Sequence, residues 1–480
     1  MVNRFILNEL SYFGPGARKE LPSVVARLGF NKALIVTDKG LIKFGVAKMV
    51  TDVLDEAGIP YEIYSEVKPN PTVTNVKMGV EAFAKSGADF IVAIGGGSSM
   101  DTAKGIGIVT NNPEFSDIVS LEGVAPTKKK TVPIIALPTT AGTAAETTIN
   151  YVIIDEEKQK KMVCVDPNDI PCCSIIDAEL MYSLPKLTTA ATGMDALTHA
   201  IEGYITKAAW ELSDRFEIEA VRMINKYLRT AVNEPNNPEG RNGMAVAQYV
   251  AGMAFSNVGL GVVHGMAHPM GSLFDIPHGV ANALLLPTIM EFNAPACLPK
   301  YRNIAEAMGV NTAGMTDQEA ADAACKAVRD LAIEVGIPQH LSEINIFEKD
   351  IDALAEQAIA DVCTPGNPRD VTIDDIKALY RKVLSSPWDN RINQSPDIRS
   401  HPFARALLLP YRNDGKIGVF SGACNLNGIA IHQQNLKLSG YPVNQLSGDS
   451  YRRLFVYSYS HIPATKAPFH REKQPLKSAL

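Results

Sequence analysis

Short apolar runs alternate with amphipathic stretches through the first 180 residues, and this alternation restricts the fold more than any other feature. The apolar runs have the length of buried strands: 32–37, 61–64, 89–94 and 132–137. The amphipathic stretches have the spacing of helices: 41–58, which ends at Gly58, and 72–87, which follows Pro69-Asn70-Pro71. Strands that alternate with helices predict a parallel sheet covered on both faces. Because such sheets bind ligands at the carboxyl ends of their strands, the loops after the strands are the expected site.

Helical spacing dominates from about Leu187 to Leu384. The clearest examples are 213–227, 243–255 and 317–335. We therefore predict an α/β dinucleotide-binding domain with a parallel sheet over 1–183 and an all-α domain over 184–384.

Residues 385–480 differ in composition from the rest of the chain. They contain 12 Lys and Arg against 5 Asp and Glu, whereas residues 1–384 contain 34 against 47. The mild net charge of −6 is therefore the sum of an acidic part and a basic tail. The tail is rich in Ser, Asn, Gln and Pro and has no sustained apolar period. We expect a poorly ordered C-terminal extension, while a folded third domain and a reading-frame artefact stay open.

The overall composition excludes several classes of protein. Of the 480 residues, 46% are hydrophobic and 20% are charged, which is ordinary for a globular enzyme. The net charge does not suggest a nucleic-acid partner, and no apolar run reaches the roughly 18 residues of a membrane span. The N-terminus lacks a basic start followed by an apolar core, and the seven cysteines include no CxxC pair. We therefore expect reduced thiols and a cytoplasmic protein.

A glycine-rich turn follows the clearest apolar run and opens a helical stretch. Gly95, Gly96 and Gly97 let the backbone approach a ligand closely, and a helix N-terminus favours a phosphate. Ser98 or Ser99 is expected either to cap the helix or to bond a phosphate oxygen. The segment is neither a P-loop nor the GxGxxG fingerprint. A tight turn without a ligand is the alternative interpretation.

Two further loops favour a dinucleotide. Asp38 follows the run 32–37, where an acid can bind ribose hydroxyls and repel a 2′-phosphate, which favours NAD over NADP. A simple helix cap is an equally good explanation of Asp38 taken alone. The loop after the run 132–137 supplies the hydroxyls of Thr139, Thr140 and Thr143 at the same predicted edge of the sheet.

Four of the nine histidines fall in two short windows, together with one aspartate. Asp195 and His199 are spaced i,i+4, as are His264 and His268, and His278 follows in a turn-like segment. Residues four apart share one face of a helix. An Asp with two or three His suits a divalent transition metal, and both Fe(II) and Zn(II) stay open.

A phosphate-binding turn and a metal set together predict chemistry in a cleft between the two domains. A metal at an alcohol or carbonyl oxygen acts as a Lewis acid, and nicotinamide accepts or gives a hydride at the adjacent carbon. A metal-dependent hydrolase or lyase of a phosphorylated substrate is the alternative, and a non-catalytic nucleotide sensor is another. Asp38 and the Thr-rich loop favour the dehydrogenase because they suit an adenosine-bearing ligand.

Four long motifs resemble those of the iron-containing (group III) alcohol dehydrogenases. The motifs are 95–101 (GGGSSMD), 137–146 (LPTTAGTAAE), 193–203 (GMDALTHAIEG) and 264–269 (HGMAHP) with 277–279 (PHG). The resemblance extends over residues 1–384, about 80% of the chain, and implies that family's dehydroquinate synthase-like fold. Within the family, the chain looks most similar to members that interconvert lactaldehyde and 1,2-propanediol. Glycerol- and 1,3-propanediol-type dehydrogenases are the alternative there.

The resemblance implies NAD as cofactor and a role for each motif residue. Fe(II) would be held by Asp195, His199, His264 and His278, with His268 a non-ligand that shuttles a proton or orients the substrate. NAD contacts would come from Asp38, Asn70, Gly96, Gly97, Ser98, Thr139, Thr140, Thr143, Thr148 and Lys161. A small pocket for two- and three-carbon aldehydes and diols would be lined by Asn150, Val152, Phe255 and Cys363. A homodimer is also implied, with an N-terminal strand near Arg4–Leu7 at its interface.

Overall fold

A computed structural model of the chain describes residues 2–384, 425–426 and 429–430. By internal contacts the chain divides into two units, 1–394 and 395–480. In the second unit, the described residues Asn425–Leu426 (β10) and Ile429–Ala430 (β11) pair antiparallel. The prediction of a poorly ordered extension over 385–480 otherwise lies outside the described residues.

The remaining strands all precede residue 180, and the long helices follow it. The strands are β1 Leu10–Phe13, β2 Ala33–Val36, β3 Tyr61–Tyr64, β4 Phe90–Gly95, β5 Gly123–Val124, β6 Ile134–Pro138, β7 Asn150–Asp155, β8 Lys160–Val165 and β9 Cys173–Ile176. The helices are α1 Leu21–Leu28, α2 Lys39–Lys43, α3 Val46–Glu56, α4 Val73–Ser86, α5 Gly97–Asn111, α6 Lys186–Ile205, α7 Glu211–Asn233, α8 Pro238–Val258, α9 Val262–Phe274, α10 His278–Asn293, α11 Leu298–Ala307, α12 Asp317–Glu334, α13 Ile351–Ile359 and α14 Ile373–Lys382.

The main sheet is parallel throughout and has the strand order β1-β9-β6-β4-β2-β3. Helices cover it on both sides: one apolar cluster joins it to α1 and α3, and another joins it to α4 and α5. This confirms the α/β prediction and its four strands. The edge strand β1 and its neighbour β9 were not predicted.

A second, three-stranded sheet has the order β5-β8-β7, with β7 and β8 antiparallel. It was also missed from the sequence. Burial alternates along β7, and the less buried residues Asn150, Val152 and Ile154 share one face. That face borders the cavity described below.

The prediction of a single helix over 41–58 is wrong, because two helices, α2 and α3, form there. Gly45 adopts φ +79°, ends the short helix α2 and begins α3. Glycine takes this left-handed conformation without steric cost, so it can interrupt a pattern whose apolar spacing continues.

From α6 onward, the described residues to Leu384 form helices and short 3₁₀ turns. Helix α6 is buried almost throughout its second half, and Gly193 lets it approach α7, where a Cβ would meet Leu228 at 2.2 Å. Within the described residues, no single helix is long and apolar enough to cross a membrane. The pair α8 and α9, bent by 101°, meets that criterion jointly by length and composition.

Candidate metal and cofactor site

The glycine-rich turn lies between β4 and α5 and packs directly against the Thr-rich loop. A Cβ at Gly97 would lie 2.9 Å from Thr143 Cγ2, and one at Gly96 would lie 3.1 Å from Thr140. Helix α5 begins after Gly96 with no side-chain cap. The expectation that Ser98 or Ser99 caps this helix is therefore wrong, because both residues already lie inside its first turn. The uncapped N-terminus, with its positive dipole end, suits an anion.

Asp38 lies at the end of β2 and is partly exposed. Its Oδ1 accepts the Leu41 N–H at 2.9 Å, so the residue caps α2. A cap that uses one carboxylate oxygen is compatible with a ribose contact through the other. At the end of β6, which pairs with β4, the Thr139 N–H donates to the Gly95 carbonyl at 2.9 Å and joins the Thr-rich loop to the glycine turn.

The four predicted metal ligands come together from three helices. Asp195 and His199 lie on α6, His264 on α9, and His278 is the first residue of α10. Each offers one ligand atom, and these atoms lie within 4.8 Å of one another. The ring of Phe255 stacks on His199 with centroids 4.2 Å apart, which fixes the orientation of that imidazole.

The imidazoles of this set are held neutral by their surroundings. Burial lowers the pKa of His199 to about 4 and that of His264 to about 3, although the Asp195 charge opposes it in both cases. Burial also lowers the pKa of His278 well below its usual value. Neutral imidazole is the form that binds a metal.

Two buried side chains support the ligand set. Glu202 Oε2 lies 2.6 Å from His264 Nδ1. The Asn282 amide Nδ2 lies 2.7 Å from Asp195 Oδ1, 3.0 Å from His264 Nε2 and 3.2 Å from His278 Nε2. Burial raises the pKa of Glu202 to about 7. Hydrogen bonds from the backbone N–H groups of Val263, Gly261 and His264 oppose this rise.

The donor chemistry fits a divalent metal. Three imidazoles and one carboxylate, with no thiolate, match the N/O sets that bind Fe(II) and Zn(II). The Nδ1 atom of His199 lies 3.9 Å from Asp195 Oδ2, is buried and has no hydrogen-bond partner among the described residues. Buried polar atoms are normally satisfied, so an unpartnered imidazole nitrogen that faces a carboxylate ligand favours a bound cation.

His268 lies beside this set but pairs with a different group. Its Nδ1 is 2.8 Å from Asp361 Oδ2, and Asp361 Oδ1 accepts the Cys363 N–H at 2.9 Å. Burial would raise the pKa of Asp361, but the neighbouring His268 and these hydrogen bonds hold it below its usual value. A carboxylate at Nδ1 fixes the orientation of the ring and leaves Nε2 for other partners.

A cavity of about 130 Å³ connects these groups with the glycine turn. Most predicted site residues line it: Asn70, Gly97, Ser98, Thr143, Thr148, Asn150, Val152, Lys161, His199, Phe255, His264, His268, His278 and Cys363. Five predicted residues do not: Asp38, Gly96, Thr139, Thr140 and Asp195. Gly96 packs against Thr140, and the Asp195 carboxylate lies 3.7 Å from His278 Nε2.

Several buried polar residues of the site were missed from the sequence. Asp101 lines the cavity beside the predicted residue Lys161; burial raises the pKa of Asp101 to about 7 and lowers that of Lys161 to about 8. Asn282 could have been found, because it lies four residues after His278 on the same helix. The contacts of Glu202 and Asp361 could not be predicted, since each contacts a histidine more than 60 residues away.

Comparisons with known proteins agree with this geometry. The family described as iron-containing alcohol dehydrogenase matches residues 9–178, and its C-terminal counterpart, Fe-containing alcohol dehydrogenase family, C-terminal, matches residues 189–384. Lactaldehyde reductase of Escherichia coli K12 is 56% identical over 380 residues, which are 79% of this chain and 99% of that protein. The 1,3-propanediol dehydrogenase of Citrobacter freundii is 43% identical over 79% of this chain and 98% of its own length.

Solved structures give the same result. A 1,3-propanediol oxidoreductase is 41% identical with a TM-score of 0.78, and it covers 80% of this chain and 100% of its own. Sulfoacetaldehyde reductase from Bifidobacterium kashiwanohense, solved in complex with NAD⁺, is 31% identical with a TM-score of 0.72 over 80% of this chain and 100% of its own. This chain therefore belongs to the iron-containing alcohol dehydrogenase family.

Proposed function

We propose that this protein is a metal-dependent, NAD-linked oxidoreductase that interconverts a short-chain, lactaldehyde-like aldehyde and its alcohol or diol. One observation carries the proposal: a buried set of one aspartate and three histidines borders the same cavity as an uncapped, glycine-rich helix N-terminus. The relative named lactaldehyde reductase, at 56% identity over nearly its full length, supports the aldehyde class. This chain is also similar to the 1,3-propanediol dehydrogenases, so a 1,3-diol is the alternative substrate within the family.

The cofactor assignment rests on the loops at the carboxyl ends of β2, β4 and β6. The N-terminus of α5 would bind the pyrophosphate, with Gly96, Gly97 and Ser98 at its start. Asp38 would bind the ribose hydroxyls and select NAD. Further NAD contacts are proposed for Asn70, Thr139, Thr140, Thr143, Thr148 and Lys161.

Asp195, His199, His264 and His278 would hold Fe(II), with Zn(II) as the other candidate. When bound, the metal supplies Lewis acidity at the substrate oxygen, and NAD supplies the hydride acceptor. His268 would carry the proton between the substrate oxygen and solvent, with Asp361 holding its ring in place at 2.8 Å.

The substrate pocket is proposed to be lined by Asn150, Val152, Phe255 and Cys363. These four residues line the same cavity as the histidines of the metal set. Phe255 is 3% exposed and stacks on His199, so it closes one side of the pocket against water.

The division into domains at 183/184 and the homodimer remain proposals. The N-terminal strand expected near Arg4–Leu7 is absent from the described chain, where 2–8 form no regular element. Instead, the backbone of Ile6 bonds the Asn257 side chain at 2.8 and 3.1 Å. Sedimentation analysis of the purified protein would test the dimer.

The substrate class is tested by NAD-linked assays over C2–C4 aldehydes, diols and alcohols. We expect the highest kcat/KM for lactaldehyde and 1,2-propanediol, and lower values for C4 substrates that collide with Phe255. A preference for 1,3-propanediol would favour the alternative within the family. Hydrolysis of phosphate esters without NAD turnover would favour the metal-dependent hydrolase.

A further inference from the structure

Glu202 links the ligand helix α6 to the start of α9. It lies three residues after His199, and its side chain is 2% exposed. Its Oε1 accepts the Val263 N–H at 2.7 Å, and its Oε2 lies 2.6 Å from His264 Nδ1 and 3.3 Å from the His264 backbone nitrogen. The polar partners of its carboxylate are therefore hydrogen-bond donors of one segment, 261–264, which ends at a proposed metal ligand.

Part of this arrangement is a helix cap provided by another helix. Helix α9 begins after Gly261 with no side-chain cap of its own and no acidic residue in its first turn. The Glu202 carboxylate accepts two of the N–H groups that a helix leaves unpaired at its N-terminus, where negative charge is favourable. A Cβ at Gly261 would lie 2.8 Å from Glu202 Oε1, so a glycine lets the carboxylate come this close.

The contact with the imidazole exceeds what a cap requires. A carboxylate only accepts hydrogen bonds, so the proton of the neutral His264 ring lies on Nδ1, facing Glu202. The lone pair of Nε2 then points away from Glu202, toward the side where Asp195 and His278 offer their ligand atoms. Glu202 thus sets both the tautomer and the rotation of this ring.

We propose that Glu202 is a positioning residue for the metal site: by accepting the Nδ1–H of His264, it leaves Nε2 of that ring free to bind the metal. The inference rests on the proposed function, since it assumes that Asp195, His199, His264 and His278 bind a metal. A carboxylate behind a ligating imidazole typically changes metal affinity by about 10- to 100-fold.

Glu202→Gln tests the role with little change in side-chain volume. An amide presents one acceptor and one donor, so it cannot accept from both His264 Nδ1 and Val263 N–H. If the amide NH₂ faces the ring, His264 must carry its proton on Nε2, where it blocks metal binding.

Glu217 provides a matched control on α7. It is also fully buried, and its carboxylate oxygens have no hydrogen-bond partner among the described residues. Its side chain packs against Gly203, the residue after Glu202, and makes no hydrogen bond to a ligand. Glu217→Gln therefore replaces a buried carboxyl group close by without changing the partner of His264.

The test is titration of metal-free, full-length protein with Co(II), followed by its visible absorption, with thermal melting of each metal-free variant. We expect Glu202→Gln to weaken Co(II) binding about 10- to 100-fold and Glu217→Gln to leave it within about twofold. Gly261→Ala is a second variant, because its methyl displaces the same carboxylate, and it should also weaken binding.

The outcomes separate the inference from the proposed function. Wild-type protein that binds no Co(II) would overturn the metal assignment and the inference with it. Wild-type binding together with unchanged affinity in Glu202→Gln and Gly261→Ala would overturn the inference alone. Equal losses in Glu202→Gln and Glu217→Gln would also overturn it, since they would indicate a general effect of the buried carboxylates.

Discussion

Substitution of Asp38 tests how this fold selects its cofactor, because the two functions of this residue, the helix cap and the proposed ribose contact, can be separated. Its Oδ1 caps α2 through the Leu41 N–H at 2.9 Å, while the proposed ribose contact depends on its charge. Asp38→Gly removes both the cap and the charge. Asp38→Asn keeps an acceptor for the cap and removes only the charge, since Asn and Asp cap helices about equally well.

The size of the effect follows from the exposure of Asp38. Two unit charges 4 Å apart repel by about 1 kcal/mol in water and about 4 kcal/mol at a typical protein surface. Because Asp38 is partly exposed, we expect its carboxylate to repel a 2′-phosphate by about 1–2 kcal/mol. Removing it should raise kcat/KM for NADP relative to NAD by about 5- to 30-fold, since 1.4 kcal/mol is tenfold. The lost cap in Asp38→Gly should cost only a few tenths of a kcal/mol.

The assay is steady-state kinetics with NAD and NADP at fixed saturating diol, together with thermal melting of each variant. Asp52→Asn is the control, because it removes a partly exposed carboxylate elsewhere in the same α/β region. We expect both Asp38 variants to shift the NADP/NAD ratio and the control to leave it unchanged. An unchanged ratio in both Asp38 variants, at normal stability, would refute Asp38 as the residue that excludes NADP.

Other predictions address the metal set, the proton path and the tail. His264→Ala should lose both bound metal and turnover, because it removes one of four ligands. Elemental analysis and the NAD-linked assay measure the two effects. Full activity in the metal-free variant would contradict the assignment. Asp361→Asn should lower kcat by roughly 10- to 100-fold at unchanged metal content, since His268 loses the carboxylate that orients it; an unchanged kcat would remove His268 and Asp361 from the proton path. Truncation after Leu384 should leave turnover nearly intact, and a large loss would show that residues 385–480 contribute to the enzyme.

The sequence predicted those parts of the fold whose signals are local. The strands β2, β4 and β6 are apolar runs, and together with the strand candidate β3 they alternate with amphipathic helices, so their type and parallel arrangement could be inferred. Gly45 shows the limit of this reasoning, because its left-handed backbone splits a stretch whose apolar pattern does not change. The short strands β1 and β9 became clear only from their partners in the sheet.

The candidate site shows the same division between local and distant signals. Asp195 and His199 were predicted to share one helix face, and they do. That His264 and His278 lie close to them could be inferred only from the family resemblance or seen in the structure. Glu202 and Asp361 act on histidines that are distant in the sequence, so only the three-dimensional packing reveals them.

The central claim is that Asp195, His199, His264 and His278 hold a metal on which NAD-linked alcohol turnover depends. The most direct test is elemental analysis of the purified protein, before and after chelation, paired with an NAD-linked assay on 1,2-propanediol. We expect about one Fe or Zn per chain, loss of turnover when the metal is removed, and recovery when Fe(II) is returned. Metal-free protein that still oxidises the diol with NAD at the original rate would contradict the account.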